Sequence, residues 1–366
     1  MKKILLITPS SIQVIIFRAN LIKELQKNGY SVSVLTFDDK EKERIDELGV
    51  DFNCIEDSNR SLNPFKVLSL SKRYKEKIKS INPDIVFTFM LKPNAFGVVA
   101  AKKAGVKEIY SMVEGAGDVF INQGLKWKII KKFVCALYKR AFKISKKVFF
   151  LNNDDKNEFI NLKLVKPEQC EIIRGVGINT EKFSFSEPTS ENVFLMVSRL
   201  LKTKGVMDYL QAAKIVKEKY PQATFNLVGA EGNITKEDIK GYTEDGTVNY
   251  MGVTSDVIPY YRACNVNVLP SFREGFGLVL AEAGAIGRMS ISYNAVGTKD
   301  VIVDGETGFL VEKRNVKALA EKMIWCIENP EKVIEMGKNA HDYALENFDY
   351  RVINERILAV LDGVVS

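Results

Sequence analysis

The sequence predicts an α/β protein built from two doubly wound domains, each a parallel sheet with helices on both faces. Three observations carry this prediction. Short apolar runs of strand length alternate with longer segments of helical periodicity through both halves of the chain, the pattern of repeated βαβ units. At 366 residues the chain has the length of about two domains. Between the halves, Ser184 to Glu191 (Ser-Phe-Ser-Glu-Pro-Thr-Ser-Glu) is short, polar and carries one proline, which suits a linker. Two such domains place a cleft between the carboxyl ends of their sheets, where ligands bind in this architecture.

The elements follow in order. Met1-Lys2-Lys3 and the apolar run after it resemble a short signal peptide, but the run is brief and leads through Pro9-Ser10-Ser11 into an amphipathic helix, so Ile4–Thr8 is predicted as the first strand. Ser31–Phe37, Ile85–Phe89, Glu108–Val113 and Lys147–Leu151 are the other strands of the first half, each a short apolar or β-branched run. Helices are predicted at about Arg18–Lys27, Val67–Ile78, Asn94–Ala104 and Lys126–Ser145, where apolar residues recur at helical spacing. In the second half the strands are Val193–Val197, Thr224–Val228, Asn265–Leu269 and Met289–Tyr293. The helices there are about Val206–Lys219, Val257–Ala263, Leu278–Ile286, Val316–Ile327 and Pro330–Asn347. The expected domains are residues 1–186 and 187–349, with a last helix at about 350–366 assigned back to the first. No solenoid repeat or low-complexity tract interrupts the pattern.

Composition excludes several classes. No apolar run approaches the ~20 residues that span a bilayer. The five cysteines are scattered, odd in number and without C-x-x-C spacing, as expected of a reduced cytoplasmic protein without structural zinc. The single histidine, His341, falls in the C-terminal helical stretch, which argues against histidine-based catalysis and His-rich metal sites. Charge is divided unevenly. Residues 1–187 hold 33 Lys and Arg against 22 Asp and Glu, a net of +11; residues 188–366 hold 20 against 24, a net of −4. From Lys126 to Lys147 nine basic residues occur with no acidic one, among Trp127, Ile130, Phe133, Val134, Leu137, Ala141 and Ile144 at helical spacing. Two readings stand: a packed helix with a solvated lysine face, or a surface that docks on anionic lipid at the inner face of the cell membrane. No nucleic-acid-binding motif accompanies the charge.

The most informative stretch is Pro270-Ser271-Phe272-Arg273-Glu274-Gly275-Phe276-Gly277-Leu278-Val279-Leu280-Ala281-Glu282. A strand precedes it and an apolar helix begins at Leu278. Gly275 and Gly277 fall at the turn, where the lack of a Cβ lets backbone N–H groups approach a ligand. The helix N-terminus offers unpaired N–H groups and the positive end of its dipole, a natural phosphate site. Glu282 lies about five residues into the helix, ~7 Å further on at ~1.5 Å per residue, roughly the step from a diphosphate to its ribose. A second cluster, Val197-Ser198-Arg199-Leu200-Leu201-Lys202-Thr203-Lys204-Gly205, places Arg199 at a strand end and Lys204 before the next helix. Two cations at such a turn suit a diphosphate, Arg through bidentate contacts and Lys as a compact charge.

Acid, seven residues, acid around Gly-Phe-Gly resembles the E-x7-E motif of the family-4 retaining glycosyltransferases, and Arg199 with Lys204 resembles their R-x4-K motif. Gly177-Ile178-Asn179-Thr180-Glu181-Lys182-Phe183 resembles the G-V-D-x-x-x-F segment, with Asn for the usual Asp; Val248 to Val253 is similar to the strand and turn whose backbone reads the base. Val296-Gly297-Thr298-Lys299-Asp300-Val301 resembles the G-G-x-x-E-V loop, with one glycine replaced by Val and the acid shortened to Asp300. Asp304 to Leu310 is similar to a structural turn and strand. The resemblance implies a GT-B fold of two Rossmann-like domains, the first binding acceptor and the second a UDP-sugar. It implies Glu274, Arg199 and Lys204 as catalytic residues, and Glu282, Gly275, Phe276, Gly277, Leu278, Val253 and Ser10 in the donor site. Retention of anomeric configuration follows from the same resemblance. No cofactor or metal is expected, since D-x-D is absent and cations with a helix N-terminus supply leaving-group stabilisation.

In the first half, Phe17-Arg18 begins the expected first helix where many relatives carry a glycine pair. Phe89 to Asn94 and Val113 to Phe120 fall at strand ends. These segments resemble a subgroup that extends undecaprenyl-diphosphate-linked sugars, its N-acetylgalactosaminyltransferases above all. Lys92, Asn94, Glu114, Gly115 and Gly117 are the candidate acceptor residues, with a solvated Lys92 and a plain tight turn at the glycines as the alternatives. A sugar-nucleotide 2-epimerase of the same architecture, or an inactive sugar-nucleotide or lipid-binding module, is the competing reading. The lack of a well-placed histidine counts against the first, and the intact motifs count against the second.

Overall fold

Strands such as Ile85-Val86-Phe87-Thr88-Phe89 present no polar face, and all five residues are buried. Such strands need cover on both sides, which crossover helices give to parallel sheets. The chain builds two sheets of this kind, one in a unit made of Met1–Val176 with Ile353–Ser366, the other in Gly177–Val352. The computed structural model describes residues 1–57, 64–121, 124–189 and 191–364.

In the first unit the strands are β1 (Lys3–Ile7), β2 (Ser31–Thr36), β3 (Asp51–Cys54), β4 (Ile85–Phe89), β5 (Glu108–Val113), β6 (Lys147–Phe150) and β7 (Cys170–Ile172). They pair in the order β3-β2-β1-β4-β5-β6-β7, every pair parallel. Strand order reverses between β1 and β4, the topological switch point where a crevice opens at the carboxyl ends. A core of Leu5, Leu35, Val86, Val98, Tyr138, Phe142 and Phe150 packs beneath the helices.

In the second unit, β8 (Val193–Val197), β9 (Thr224–Val228), β10 (Asn249–Gly252), β11 (Val266–Leu269), β12 (Met289–Tyr293) and β13 (Gly308–Val311) pair in the order β10-β9-β8-β11-β12-β13, again all parallel. Here the switch point lies between β8 and β11, whose carboxyl ends lead into the two charged motifs.

Four features depart from the expectations. First, β3 and β7 were not anticipated: both are short, and only partly buried residues compose β7, so neither has the apolar run that announces a strand. The polar helices Asn153–Asn161 and Lys236–Glu244 were missed for the same reason; each is marked instead by its cap, Asn152 accepting from the Asp155 N–H at 2.7 Å and Thr235 pairing with Asp238. Second, the first helix does not begin at Phe17-Arg18. Helix Ser11–Phe17 precedes it, and helix Ala19–Lys27 follows after a break at Arg18 (φ −121°, ψ −15°). Third, Pro93–Gly97 is a single wide π-helical turn before the α-helix Val98–Ala104. Fourth, the stretch expected to link the domains belongs to the second unit. Ser186 N–H donates to Ile286 O at 3.0 Å, and the fully buried Arg288 donates to Ser186 O, Ser186 Oγ and Glu187 O at 2.6, 2.8 and 3.2 Å. Residue 190 of that stretch lies outside the described residues.

The chain passes between units near 177 and 353 instead. There Gly177 sits at φ +82°, and a Cβ on it would come within 2.6 Å of Tyr350 Cα. Ile178 and Asp349 form a parallel bridge. Asp349 accepts from Thr180 Oγ1 and from Arg351. Among the described residues, no helix is long and apolar enough to cross a membrane.

Candidate active site

Local chain geometry fixes the second unit's site before any side chain is considered. After β8 the chain makes a short 3-10 turn, Lys202–Lys204, and enters helix Val206–Lys219 through Gly205 at φ +72°. A Cβ on Gly205 would lie 2.0 Å from Pro270 O, so only glycine lets the β8 loop rest on the β11 loop. Phe272 N–H and Ser271 Oγ then donate to Thr203 O at 2.9 and 3.2 Å. A third loop closes the other side. Glu274 N–H donates to Val296 O at 2.9 Å and Gly277 N–H to Gly297 O at 3.0 Å. Gly297 (φ +79°) leaves 2.4 Å between its missing Cβ and Glu274 O. Of the family's two glycines in this loop, the chain therefore keeps the one whose position is sterically demanded. Val296 and Asp300 are both half-buried.

Lys204 and Glu274 meet in this frame. Lys204 Nζ lies 2.5 and 2.6 Å from the two Glu274 oxygens, with the side chains 24% and 11% exposed. Arg199 is exposed at the end of β8 with no side-chain ion pair among the described residues, and Lys202 is exposed in the turn that follows. Helix Leu278–Ala285 starts at Gly277, which puts the positive end of its dipole beside Glu274; Leu278 N–H donates to Phe276 O at 2.8 Å and Leu280 N–H to Gly277 O at 2.9 Å. The Phe276 ring is buried and packs edge-on against Phe348 at 5.2 Å. Its side chain is thus core, and its backbone alone faces the turn. Leu278 is half-buried, and Val253 is 73% exposed just past β10.

Glu282 lies in the same helix, half-buried, with Tyr261 Oη donating to its Oε2 at 3.3 Å. Burial pushes its carboxyl up to about 7, while the Tyr261 hydrogen bond and the charge of Lys182 pull the other way. Tyr261 and Lys182 were not singled out in the sequence, although Lys182 sits inside the Gly177–Phe183 segment. In that segment Asn179 Oδ1 accepts from the N–H groups of Glu181 and Lys182 at 3.1 and 2.9 Å, so Asn still serves as the turn acceptor where the family has Asp.

The first unit separates its candidates. Glu114, at the end of β5, forms an ion pair with Arg18, whose guanidinium also lies over the Phe89 ring at 4.0 Å. Arg18 is 2% exposed and Glu114 14%. Burial lowers the Arg18 pKa to about 9, which leaves it cationic at neutral pH. Gly115 (φ +141°) and Gly117 (φ +76°) follow Glu114 in conformations that favour glycine.

Lys92 and Asn94 do not fit the acceptor role expected of them. Lys92 is buried and bonded to Asp57 Oδ2 at 2.7 Å. Asn94 is fully buried, accepting from Thr88 Oγ1 at 2.7 Å and donating to Met112 O at 2.8 Å. A polar side chain so placed holds the β4 and β5 loops together and has no face for a ligand. Ser10 is half-buried at the start of helix Ser11–Phe17 and makes no side-chain capping bond. The sequence did hold a signal for Arg18: a lone cation directly after Val14-Ile15-Ile16-Phe17 invites the question of what neutralises it. Among the described residues no group of three or more His, Cys, Asp or Glu side chains is placed to hold a metal ion.

Comparison with known proteins agrees on the class. The family described as "Glycosyl transferase 4-like" matches residues 3–152, and "Glycosyl transferases group 1" matches residues 177–343. The chain is 30% identical over 364 residues, 96% of each chain, to the N,N'-diacetylbacillosaminyl-diphospho-undecaprenol alpha-1,3-N-acetylgalactosaminyltransferase of Campylobacter jejuni. It is 27% identical to the UDP-Gal:alpha-D-GlcNAc-diphosphoundecaprenol alpha-1,3-galactosyltransferase of Escherichia coli, over 77% of this chain and 75% of that one. Among solved structures, Anabaena HepE in complex with UDP and glucose superposes with a TM-score of 0.82 at 19% identity, covering 99% of this chain and 100% of that one. With both halves matched and one relative aligned over nearly its whole length, the chain belongs to the family-4 glycosyltransferases and has their GT-B fold of two Rossmann-like units.

Proposed function

We propose that this glycosyltransferase moves a hexose or N-acetylhexosamine from a UDP-sugar to an undecaprenyl-diphosphate-linked saccharide, with retention of anomeric configuration. The observation that carries the reading is the Lys204–Glu274 pair, set at the switch point of the second unit beside a helix N-terminus. A cation, a carboxylate and the positive end of a helix dipole within one set of loops match the needs of a diphosphate leaving group and a sugar acquiring positive charge at its anomeric carbon.

In this reading Arg199, Lys204 and the Gly275–Leu278 backbone hold the diphosphate, and Val253 lies near the base. Glu282 accepts hydrogen bonds from the ribose hydroxyls. Glu274 orients the donor sugar and supports the charge developing on it. The departing phosphate takes the acceptor proton on the face where the acceptor attacks, so the configuration is kept. Lys204 and the helix N-terminus supply the stabilisation that elsewhere falls to a divalent ion.

The first unit's carboxyl edge, with Glu114, Gly115 and Gly117, is the acceptor side. Helix Leu125–Phe142 is the membrane contact. Leu125, Ile129 and Phe133 recur every four residues on it, 76%, 64% and 46% exposed, with Lys126, Lys128 and Lys132 interspersed. Exposed apolar residues among cations fit an anionic bilayer surface and support a peripheral location at the inner face of the cell membrane.

The test is a screen of UDP-sugars against defined undecaprenyl-diphosphate saccharides, read as UDP release with and without EDTA. Acceptor-dependent release unaffected by EDTA supports the reading. Activity lost with EDTA and restored by Mn²⁺ refutes the metal-free mechanism, and the absence of release with every pair refutes the assignment.

A further inference from the structure

The carboxyl edge of the first unit's sheet carries two ion pairs of the same design. In each the cation is buried over an aromatic ring and the carboxylate is partly open. Arg18 is 2% exposed over Phe89 with Glu114 at 14%. Lys92 is 5% exposed, 5.7 Å from the centre of the Phe37 ring, with Asp57 at 12%. Phe89 ends β4, Glu114 follows β5, and Phe37 follows β2, so both pairs stand at strand ends flanking the β1–β4 switch point. Buried pairs are weak stabilisers compared with apolar packing, and a cation turned inward leaves its carboxylate as the polar group nearest solvent.

Resting on the reading proposed above, we infer that Glu114 is the acceptor sugar's recognition group, taking hydrogen bonds from its hydroxyls, and that Arg18 is the residue that positions it. An ionised carboxylate only accepts hydrogen bonds. It therefore suits the donating hydroxyls of a neutral sugar ring and repels a diphosphate. Arg18 engages Glu114 Oε1, which leaves the other oxygen for the ligand. The guanidinium is itself held by Phe17 O, which accepts from Nη1 at 3.1 Å, and by the Phe89 ring, so the carboxylate is fixed before the ligand arrives. The adjoining loop leaves room: a Cβ on Gly117 would meet nothing within 4 Å. This edge thus reads the terminal sugar of the acceptor and leaves its diphosphate to cationic surface elsewhere.

The experiment uses the full chain, UDP-sugar and the undecaprenyl-diphosphate saccharide that the wild type turns over best, with initial rates at varied donor and acceptor. Glu114→Gln keeps the shape and removes the charge. Its acceptor KM is expected to rise roughly 10- to 100-fold, the scale of losing a hydrogen bond to a charged group, with donor KM and UDP affinity unchanged. Arg18→Lys is expected to raise acceptor KM in the same direction with donor KM unchanged, since ammonium lacks the guanidinium fork. A pair that only stabilises the fold would lower the melting temperature and the active fraction but leave acceptor KM at its wild-type value; that result in Glu114→Gln overturns the inference while transfer by the wild type keeps the proposed function standing. An equal rise in donor and acceptor KM also overturns it. No transfer by the wild type overturns both. If Arg18→Lys does not fold, Glu114→Gln decides alone.

Discussion

Replacing Glu274 by Gln is expected to separate donor binding from turnover in opposite directions. In the free protein the Glu274 carboxylate holds Lys204 through contacts of 2.5 and 2.6 Å. A diphosphate that binds Lys204 has to share or displace that partner. Hydrogen bonds to charged groups contribute about 1.5–3 kcal/mol, and the low end applies because Lys204 keeps 24% exposure. Glu274→Gln preserves the shape of the side chain and removes its competing charge. At about 1.4 kcal/mol per factor of ten, UDP binds roughly tenfold tighter to the variant. Transfer moves the other way. Losing the carboxylate that supports charge at the anomeric carbon costs about 3–4 kcal/mol of transition-state stabilisation, on the order of 100- to 1,000-fold in kcat. Calorimetric titration of UDP and initial-rate kinetics give the two numbers. Lys204→Met in both backgrounds closes a double-mutant cycle that isolates the pair. Weaker UDP binding by Glu274→Gln, or a wild-type kcat, would refute the reasoning.

Three further outcomes are expected. Because burial holds the Glu282 carboxyl at about 7 against an ordinary 4.5, the folded chain keeps a proton between those values that the unfolded chain has released. Its contribution to folding stability therefore falls as pH rises from about 5 to 8, a slope that Glu282→Gln should remove in urea unfolding series. UDP affinity should rise over the same interval as the carboxylate becomes a double acceptor for ribose, and a flat profile in the wild type would contradict the assignment. Gly205→Ala is expected to destabilise by more than ~3 kcal/mol and to lower kcat, since its Cβ meets Pro270 O at 2.0 Å. Gly246→Ala, at the same φ of +72° with nothing within 4 Å, should cost only the left-handed penalty of about 1–2 kcal/mol; equal costs would remove the packing argument. Co-sedimentation with anionic vesicles should weaken with salt and with Lys126→Gln, Lys128→Gln and Lys132→Gln, at roughly 1 kcal/mol per lysine. Ile129→Ser with Phe133→Ser should weaken it at every salt concentration, and unaltered binding by both sets would exclude helix Leu125–Phe142 as the contact.

The motifs of the second unit were legible in the sequence because each is local. Arg199 and Lys204 flank one βα turn, and Glu274 precedes the helix that carries Glu282, so each pair is joined by a short stretch of chain. The contact between Lys204 and Glu274 was not legible. Seventy residues separate them, and their loops meet where Gly205 rests on Pro270 and Thr203 O accepts from Phe272 N–H and Ser271 Oγ.

The first unit hid more, because its polar groups are joined across strands. Asn94 looked like a ligand residue because it follows a strand end, yet its side chain bridges Thr88 and Met112. Lys92 looked solvated or acceptor-facing, yet its partner Asp57 lies 35 positions away. Arg18 read as the start of a helix, whereas its buried side chain coincides with the break between two. The strands β3 and β7 escaped because sheet-edge strands need no continuous apolar run. In the helix Leu125–Phe142 the sequence correctly placed a basic amphipathic element, but the exposed stripe of Leu125, Ile129 and Phe133 appears only once Val134, Tyr138, Ala141 and Phe142 are seen to fill the buried side.

The measurement that bears most directly on the central claim is the anomeric configuration of the product. With an α-linked UDP-sugar and an undecaprenyl-diphosphate saccharide, the account predicts stoichiometric UDP release and a new glycosidic bond whose proton coupling identifies it as α. A β-linked product would contradict retention. A trapped covalent sugar on Glu274 would contradict same-face attack, in which the leaving phosphate takes the acceptor proton and Glu274 acts only by its charge.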